Sequence, residues 1–395
     1  MDARFASSDR PVREILDTAL AGDRITAGDA HRLLRDGDLV ELGLAAHEIR
    51  NRFNDPAAAS YNVDRNINYT NVCVYRCRFC AFYRPPGHEE GYLIPFEEIG
   101  RKIEETLALN GTGILLQGGV NPDLPIQYYV DLVTFIRESY PAIHRHCFSP
   151  PEIKFIAKKE RMSFRDVLAR LKAAGLQSIP GGGAEILSER IRKEVLAYPK
   201  ASPDEWLDVM RQAHLLGMRT TATMMYGMGE ELWERIEHLQ RIRDLQDETG
   251  GFTAFISWTF QHEHTEMPEM PEVFAHEYLK TLAVTRLFFD NVRHLQSSWV
   301  TQGKKIGQLG LAFGADDMGS IMIEENVVSA AGAQYTMSQD EMEHLIRAAG
   351  YEPRQRTNLY ERFVTRADTA ELAARYRHAL TPEKRDLASL LPVVA

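Results

Sequence analysis

Three cysteines within eight residues, Cys73, Cys77 and Cys80, are the side chains of this sequence best suited to chemistry. Three thiolates at this spacing can bind three irons of a cubane [4Fe-4S] cluster. The fourth iron then has no protein ligand nearby in the sequence, and this open position can take a further ligand. Cys147 lies too far along the chain to belong to the same loop, so the cluster prediction does not require it.

Two other interpretations of the cysteine loop remain open. The loop could be a structural zinc site completed by a histidine, or its thiols could be buried small apolar side chains. Structural zinc usually takes its ligands in two pairs, whereas a single C-x3-C-x2-C run stands alone here. Phe79 precedes the third cysteine and Phe82 and Tyr83 follow it, which suits a partly shielded cluster. We therefore favour the iron-sulfur cluster.

Composition narrows the class of protein. The 395 residues are 44% hydrophobic, and 56 acidic against 46 basic side chains give a formal net charge of -10. This charge argues against a general affinity for nucleic acid or for an anionic membrane. No apolar run approaches the roughly 20 residues of a membrane span, and the start of the sequence lacks the apolar region of a secretory signal. With only four cysteines, we expect a cytoplasmic protein with a small-molecule substrate.

From Arg65 onward, short apolar runs alternate with longer helical patterns, which is typical of repeated βα units around a parallel sheet. Helix signals separate the runs; Ser163 and Asp166, for example, open a helix that ends at Gly175. Eight such units predict an α/β fold, a (β/α)8 TIM-type barrel with its reactive groups in the loops after the strands. The predicted strands lie near 66–69, 113–117, 143–148, 176–179, 218–225, 252–258, 292–297 and 318–321.

Three regions are predicted along the chain. Residues 1–60 form an N-terminal helical extension, in which Thr26 and Asp29 resemble a capping pair. Residues 61–330 form the barrel, and residues 331–395 form a C-terminal helical segment packed on it. The last residues, from about 381, are expected to be a loosely ordered tail.

The cysteine spacing, with an aromatic residue before the last cysteine, resembles the radical S-adenosylmethionine superfamily. This resemblance implies two cofactors, the [4Fe-4S] cluster and S-adenosylmethionine, whose cleavage yields a 5'-deoxyadenosyl radical. In that superfamily the cofactor performs the difficult step, and the protein supplies position and excludes water. The residues predicted to contact the cofactors, besides the three cysteines, are Tyr75, Phe79, Gly118, Gly119, Ser149, Glu152, Gly182 and Glu185.

Each of these later positions has a structural alternative. Gly118 and Gly119 allow close approach to a ligand, as the superfamily's glycine pair does for the methionine amino group, but they could form a simple tight turn. Ser149 and Glu152 could bind the two hydroxyls of a ribose, or cap the helix that follows. Both roles are compatible.

A triple glycine follows the fourth predicted strand, at residues 181–183. Something must approach this backbone closely, and a nucleoside or adenine edge fits better than phosphate, because Glu185 would repel an anion. Glu185 could instead begin the next helix. His144 and His146 share one face of the third strand, and we favour barrel-interior histidines or substrate contacts over a metal site.

Longer runs resemble the cyclic dehypoxanthinyl futalosine synthase family of menaquinone biosynthesis, over about residues 62–360. Two close relatives stay open, aminofutalosine synthase and the enzymes that assemble the deazaflavin of coenzyme F420, and an iron-sulfur electron-transfer protein is a distant alternative. The matching runs include NINYTNVC at 66–73, HCFSPPEI at 146–153, SIPGGGAE at 178–185 and GADDMGS at 314–320.

The family resemblance implies a reaction. The radical removes hydrogen from C4' of the ribose of dehypoxanthine futalosine, and the resulting carbon radical attacks the benzoate ring. Loss of an electron and a proton then restores aromaticity. A flavodoxin- or ferredoxin-type electron donor is implied as well. The sequence does not identify the group that accepts the proton or the residues that bind substrate.

Overall fold

The computed structural model describes residues 3–197, 200–333 and 335–380, so the predicted tail lies outside the described residues. Most of the helices alternate with the strands, as the repeated βα pattern predicts. The helices are α1 (Val12–Ala21), α2 (Ala27–Asp36), α3 (Leu39–Phe53), α4 (Phe96–Ala108), α5 (Ile126–Ser139), α6 (Pro150–Glu160), α7 (Phe164–Ala174), α8 (Glu189–Val195), α9 (Pro203–Leu215), α10 (Leu232–Thr249), α11 (Ala275–Phe288), α12 (Trp299–Gly310), α13 (Gln339–Ala348) and α14 (Arg366–Tyr376).

The strands form one large sheet and one small one. They are β1 (Ala58–Asn62), β2 (Asp64–Ile67), β3 (Arg76–Cys77), β4 (Gly113–Leu116), β5 (His144–Cys147), β6 (Ser178–Ile179), β7 (Leu196–Ala197), β8 (Arg219–Tyr226), β9 (Phe252–Thr259), β10 (His294–Gln296), β11 (Asp317–Ser320), β12 (Glu352–Arg356) and β13 (Phe363–Val364). Neighbouring strands from β2 through β4, β5, β6, β8, β9 and β10 to β11 are all parallel.

The sheet closes on itself through the first strand segment. β1 and β2 are consecutive, and while β2 pairs with β4, β1 pairs with β11. The backbone N–H of Ile321 donates to the carbonyl of Asn62 at 3.0 Å, and that of Asn66 donates to the carbonyl of Glu324 at 3.3 Å. Eight strand positions therefore surround the interior, which confirms the predicted barrel. Each of the eight predicted strands overlaps one of them.

Three strands of the large sheet were not predicted from the sequence. β1 itself lies largely within residues 1–60, which were predicted to be a helical extension, and β12 and β13 extend the sheet beside it. β12 pairs with β1 in parallel, with Ala58 opposite Glu352, and β13 pairs with β12 in antiparallel fashion. The sequence of β12, EPRQR, lacks the apolar alternation that marks a strand. The segment after residue 331, predicted to be helical, thus also contains a short strand pair, which brings Arg356 to the barrel.

The small sheet joins two distant parts of the chain. β3, within the cysteine loop, pairs with β7 in antiparallel fashion, with Cys77 opposite Leu196. The backbone N–H of Arg78 also donates to the carbonyl of Val195 at 3.2 Å. The chain just before Lys200 is therefore attached to the cysteine loop.

The N-terminal helices pack on the outside of the barrel, α2 beside α10 and α3 beside α11. Leu33 and Leu42 are fully buried there. Thr26 accepts from the N–H of Asp29 at 3.1 Å, so the predicted capping pair is confirmed. Among the residues described between 3 and 380, no helix combines the length and the apolar character that a bilayer span requires.

Candidate active site

The cysteine loop follows β2 and is folded by its own backbone. The N–H of Cys73 donates to the carbonyl of Arg84 at 2.8 Å, and that of Arg84 donates to the carbonyl of Asn71 at 2.8 Å. The N–H of Val74 donates to the carbonyl of Val120 at 3.0 Å. The loop is thus fixed both to itself and to the segment after β4.

The side chain of Arg84 holds the loop in place. The Arg84 guanidinium donates to the carbonyls of Ala81 at 3.1 Å and Tyr83 at 3.0 Å, and it pairs with Glu90. Arg84 therefore has a direct structural role in the loop.

The three thiols are close enough to repel one another when charged. Cys77 is buried, whereas Cys73 and Cys80 are partly exposed. Burial raises the pKa of all three thiols, that of Cys77 to about 12, and the ammonium of Lys200 opposes this effect. Thiols that resist ionisation alone become thiolates when they bind a metal. The donor set therefore fits three corners of an iron-sulfur cluster. Within the described ranges, the structure shows no group of three Cys, His, Asp or Glu side chains placed to bind a single metal ion.

The two aromatic residues predicted beside the cluster lie at the loop. Tyr75 is 5% exposed and packs with Cys77 and Val120, with its pKa raised by burial. Phe79 is partly exposed, and the ammonium of Lys200 lies 4.9 Å from the centre of its ring.

Lys200 is a functional candidate that the sequence analysis missed. Its Nζ lies 2.7 Å from Oε1 of Glu185, whose other oxygen is 3.4 Å from the Arg192 guanidinium. Glu185 and Arg192 are buried and the Lys200 side chain is only 11% exposed, so the two cations bring a net positive charge next to the thiols. Glu185 does not begin the next helix, since α8 starts four residues later. No local signal marks Lys200, because only the β3–β7 pairing brings it to the cysteines.

Glu152 connects three loops at the carboxyl ends of the strands. One carboxylate oxygen accepts from Tyr69 Oη at 2.6 Å and from the N–H of Gly118 at 3.3 Å. The other accepts from the N–H and the Oγ of Ser149, at 2.7 and 2.6 Å. Ser149 and Glu152 thus form the capping box of α6. Burial raises the pKa of Glu152 to about 7. Contact of Ser149 and Glu152 with a ribose stays a prediction.

The glycine pair packs directly against the cysteine loop. A Cβ on Gly118 would lie 2.7 Å from the ring of Tyr69, and a Cβ on Gly119 would collide with the backbone of Val72. The N–H of Gly119 donates to the carbonyl of Thr70 at 2.7 Å. Close packing alone therefore requires glycine here, and the predicted contact with methionine stays a prediction.

The triple glycine is approached by a neighbouring strand. Thr223 of β8 donates from Oγ1 to the carbonyl of Gly181 at 2.7 Å. The hydroxyl oxygen of Thr221 accepts from the N–H of Gly181 at 3.0 Å. Gly182 accepts from the indole N–H of Trp206 at 3.2 Å, and Gly183 has a φ of 80°. The close neighbour of Gly181 is therefore the backbone of β8, whereas that of Gly182 is the Gln117 side chain and that of Gly183 is the Pro151 ring. Contact with adenine stays a prediction.

Beside the glycine loop, the barrel contains a cavity of about 300 Å³. This volume lies at the lower end of the range for small-molecule sites. Its lining combines apolar, hydroxyl, amide and charged side chains. The lining includes Asp64, Asn66, Gln117, His146, Gly181, Gly182, Gly183, Glu185, Thr221, Thr223, Trp258, Gln296, Ser298, Thr301, Met318, Ser320, Glu325, Arg356 and Asn358.

Part of the cavity wall is a buried ionic group that the sequence analysis also missed. The guanidinium of Arg356 donates to both oxygens of Asp317, which also accepts from the N–H of Gly319 at 2.6 Å. Asp64 accepts from Nδ2 of Asn62 at 2.8 Å and from the hydroxyl of Ser320. Burial raises the pKa of Asp64. Nothing in the motif GADDMGS at 314–320 reveals Arg356 as the partner of Asp317.

The two histidines of β5 lie in the barrel interior, as predicted. Nε2 of His144 and Nδ1 of His146 each hydrogen-bond to Oγ of Ser178, at 2.7 and 2.6 Å. Burial lowers the pKa of His144 to about 4 and of His146 to about 3, so both rings are neutral at physiological pH. Only His146 lines the cavity.

Comparison with known proteins agrees with this geometry. Residues 67–242 match the family model described as "Radical SAM superfamily", and residues 249–368 match that described as "CofH/MqnC C-terminal region". The fold is similar to the crystal structure of HydG, a maturase of the [FeFe]-hydrogenase, with a TM-score of 0.72 and 18% identity. That likeness covers 92% of this chain and 80% of the HydG chain.

Two curated proteins of known name are similar over most of their length. The cyclic dehypoxanthine futalosine synthase of Halalkalibacterium halodurans is 48% identical over 88% of this chain and 94% of its own. That of Streptomyces coelicolor is 45% identical over 91% of this chain and 90% of its own. With the three-cysteine loop at the mouth of a parallel barrel, these matches confirm both resemblances drawn from the sequence. The chain belongs to the radical SAM superfamily and, within it, to the cyclic dehypoxanthine futalosine synthase family.

Proposed function

We propose that this chain cyclises dehypoxanthine futalosine, as its relatives' names state for them, in the futalosine pathway of menaquinone biosynthesis. The observation that carries the proposal is 45–48% identity to two such synthases over about nine tenths of the chain. The cavity beside the triple glycine, lined by hydroxyl, amide and charged groups, suits a nucleoside-like substrate.

As a radical SAM enzyme the chain uses a [4Fe-4S] cluster and S-adenosylmethionine. When bound, these supply the radical that removes a hydrogen atom from the substrate. Cys73, Cys77 and Cys80 would hold the cluster. We propose that Tyr75 and Phe79 shield it.

We further propose that the remaining predicted residues position S-adenosylmethionine. Supporting this role, they belong to three adjacent loops at the carboxyl ends of β4, β5 and β6, next to the cysteine loop. These residues are Gly118, Gly119, Ser149, Glu152, Gly182 and Glu185.

The task of the barrel is orientation. A carbon radical at C4' must meet the aromatic ring of the same molecule, so the cavity has to hold both within bonding reach. Holding two reacting groups in a near-attack geometry lowers the barrier to their reaction. The ion pair of Arg356 with Asp317 is buried in the cavity wall, and a buried pair holds both side chains in fixed positions, which suits this task.

We propose a flavodoxin- or ferredoxin-type electron donor and a cytoplasmic location. Both donors are acidic proteins, and exposed basic groups beside the cysteine loop, such as Arg76 and Arg78, support contact with one of them. A reduced cluster requires a low-potential donor, and the cytoplasm provides one.

The substrate comparison tests the proposed function. Anaerobically reconstituted enzyme, with S-adenosylmethionine and reductant, would be incubated in parallel with dehypoxanthine futalosine and with the enolpyruvyl precursor of aminofutalosine. Mass spectrometry would follow the products and 5'-deoxyadenosine, with Cys77→Ala as the cluster-free control. Conversion of dehypoxanthine futalosine alone is expected. Conversion of only the enolpyruvyl compound would instead identify an aminofutalosine synthase.

A further inference from the structure

Two histidines and one serine form a continuous hydrogen-bonded chain inside the barrel. Ser178 Oγ lies between Nε2 of His144 and Nδ1 of His146, at 2.7 and 2.6 Å. A hydroxyl has a single proton, so it donates to one ring and accepts from the other. The two hydrogen bonds therefore run in the same direction along the three groups, an arrangement through which a proton can be transferred.

One end of this chain opens into the cavity. His146 is one of the residues that line the cavity, and its Nδ1 is hydrogen-bonded to Ser178. Within residues 3–197, 200–333 and 335–380, Nε2 of His146 has no hydrogen-bond partner. The opposite end, His144, is partly exposed at the amino end of β5. The chain thus runs from the cavity along the barrel interior.

We propose that His146 accepts, at Nε2, the proton that leaves the aromatic ring during cyclisation, and that Ser178 passes a proton on to His144. This inference rests on the proposed function. In the step, a ring C–H bond breaks, its proton moves to His146, and its electron pair remains in the ring. The single electron in excess of the aromatic sextet would leave to an oxidant, for which an oxidised iron-sulfur cluster held by Cys73, Cys77 and Cys80 would serve.

The relay keeps charge away from His146. As Nε2 gains a proton, Nδ1 releases one to Ser178, and Ser178 releases its own to His144. Burial and neighbouring groups oppose a resting charge at His146. Burial is the largest cause that lowers the pKa of both rings, followed at His146 by the neighbouring ring of His144 and the Arg356 guanidinium, and at His144 by the Arg145 guanidinium. A proton is therefore passed on rather than retained beside Arg356.

The assignment requires one tautomer at rest. His146 must carry its proton on Nδ1 and a lone pair on Nε2, while Ser178 donates to His144. The reverse arrangement would place an N–H toward the cavity, where it could only donate.

Nitrogen NMR of the protein labelled with ¹⁵N-histidine tests this requirement without turnover. The signals of His146 would be identified by their loss in His146→Asn, or in His146→Gln if that variant folds better. A protonated Nδ1 with an unprotonated Nε2 is expected. A protonated Nε2 would overturn the relay, whatever the substrate of the enzyme.

Turnover tests the role of His146. His146→Asn keeps an amide near the Nδ1 position but has no atom at Nε2. With substrate deuterated at C4', deuterium should still pass to 5'-deoxyadenosine, while cyclised product falls by about 100-fold or more. Product formation within about 3-fold of the parent would overturn the role of His146.

Ser178→Ala interrupts the relay beyond His146, and Ser257→Ala is its matched control. Ser257 is a buried hydroxyl without a partner in the described structure, outside the cavity lining. A loss of about 10-fold is expected for Ser178→Ala and none for Ser257→Ala. Equal rates in both variants would overturn the relay. If the parent itself leaves dehypoxanthine futalosine unchanged, the proposed function fails instead, and the NMR result stands separately.

Discussion

The cysteine loop and the cavity lie at the same end of the barrel but are built in opposite ways. The loop folds through bonds within about fifteen residues, such as Cys73 to Arg84 and Arg84 to Asn71. The cavity takes side chains from positions as distant as Asn62 and Asn358. A local site can be identified from spacing, whereas a site assembled by the barrel cannot.

The two regions also treat charge differently. The loop places three thiols beside the ammonium of Lys200. The thiols carry negative charge only when they bind a cluster, so the charges of the loop are balanced only with the cluster bound. In the cavity wall, Arg356 and Asp317 already neutralise each other. Substitutions in the loop should therefore affect cofactor content, and substitutions in the wall should affect folding stability.

The largest expected effect is the loss of the cluster in Cys77→Ala. Two remaining thiols cannot hold three irons, so iron content and the brown absorbance should fall to background, while circular dichroism still reports the barrel. Cys147→Ala is the matched control, because Cys147 is buried on β5 away from the loop and should leave the iron content unchanged. Full iron content in Cys77→Ala would contradict the assignment.

The next effect concerns the cavity wall. Arg356→Met leaves Asp317 buried without its cation, so the free energy of unfolding should fall by about 3–5 kcal/mol. Arg354→Met is the matched control on the same strand. Arg354 pairs with Asp55 and Glu352 near the surface, and its loss should cost about 1 kcal/mol or less. Urea unfolding measures the free energy of unfolding of both variants. Equal losses would contradict the larger contribution expected of the buried pair.

A smaller, pH-dependent effect is expected at Glu152, which links the loop to the barrel. The pKa of this carboxyl is raised from 4.5 to about 7 by burial. Between these values the unfolded chain releases its proton while the folded chain retains it, so stability falls as the pH rises. The loss should reach about 3 kcal/mol between pH 4.5 and 7.

Comparison of the parent with Glu152→Gln in urea, across that pH range, isolates this contribution. The amide does not titrate, so the variant should show a flatter dependence of stability on pH, offset by the hydrogen bonds it loses. Parallel curves for the two proteins would contradict the raised pKa.

Most of the barrel could be predicted from the sequence because its strands and helices are locally marked, although β1, which closes the barrel by pairing with β11, was not predicted. Apolar runs identified the other eight barrel strands, and capping residues such as Thr26 and Ser163 identified helix starts that the structure confirms. β12 escaped prediction since its residues are polar, and it becomes a strand only by pairing with β1. Its residue Arg356 was missed for the same reason.

Within the site, spacing identified the cysteines but not the groups around them. Lys200 is brought to the thiols by the β3–β7 pairing. Strands of two residues leave no pattern in the sequence from which this pairing could be predicted. The glycines were correctly recognised as points of close approach. Their close neighbours, however, include the protein's own backbone at Thr223 and Val72. Glycine patterns alone do not distinguish a ligand from a neighbouring strand.

The smallest expected effect tests how firmly the loop is held. Arg84→Lys keeps the charge but cannot reach the carbonyls of Ala81 and Tyr83 together with Glu90. The loop should lose about 1 kcal/mol of stabilisation, so a chelator should remove iron about 5-fold faster. Arg76→Lys is the matched control, since Arg76 is exposed on the same loop and should leave the rate unchanged. Equal rates of iron loss in the parent and both variants would mean that the backbone bonds of Cys73 and Val74 hold the loop without help from Arg84.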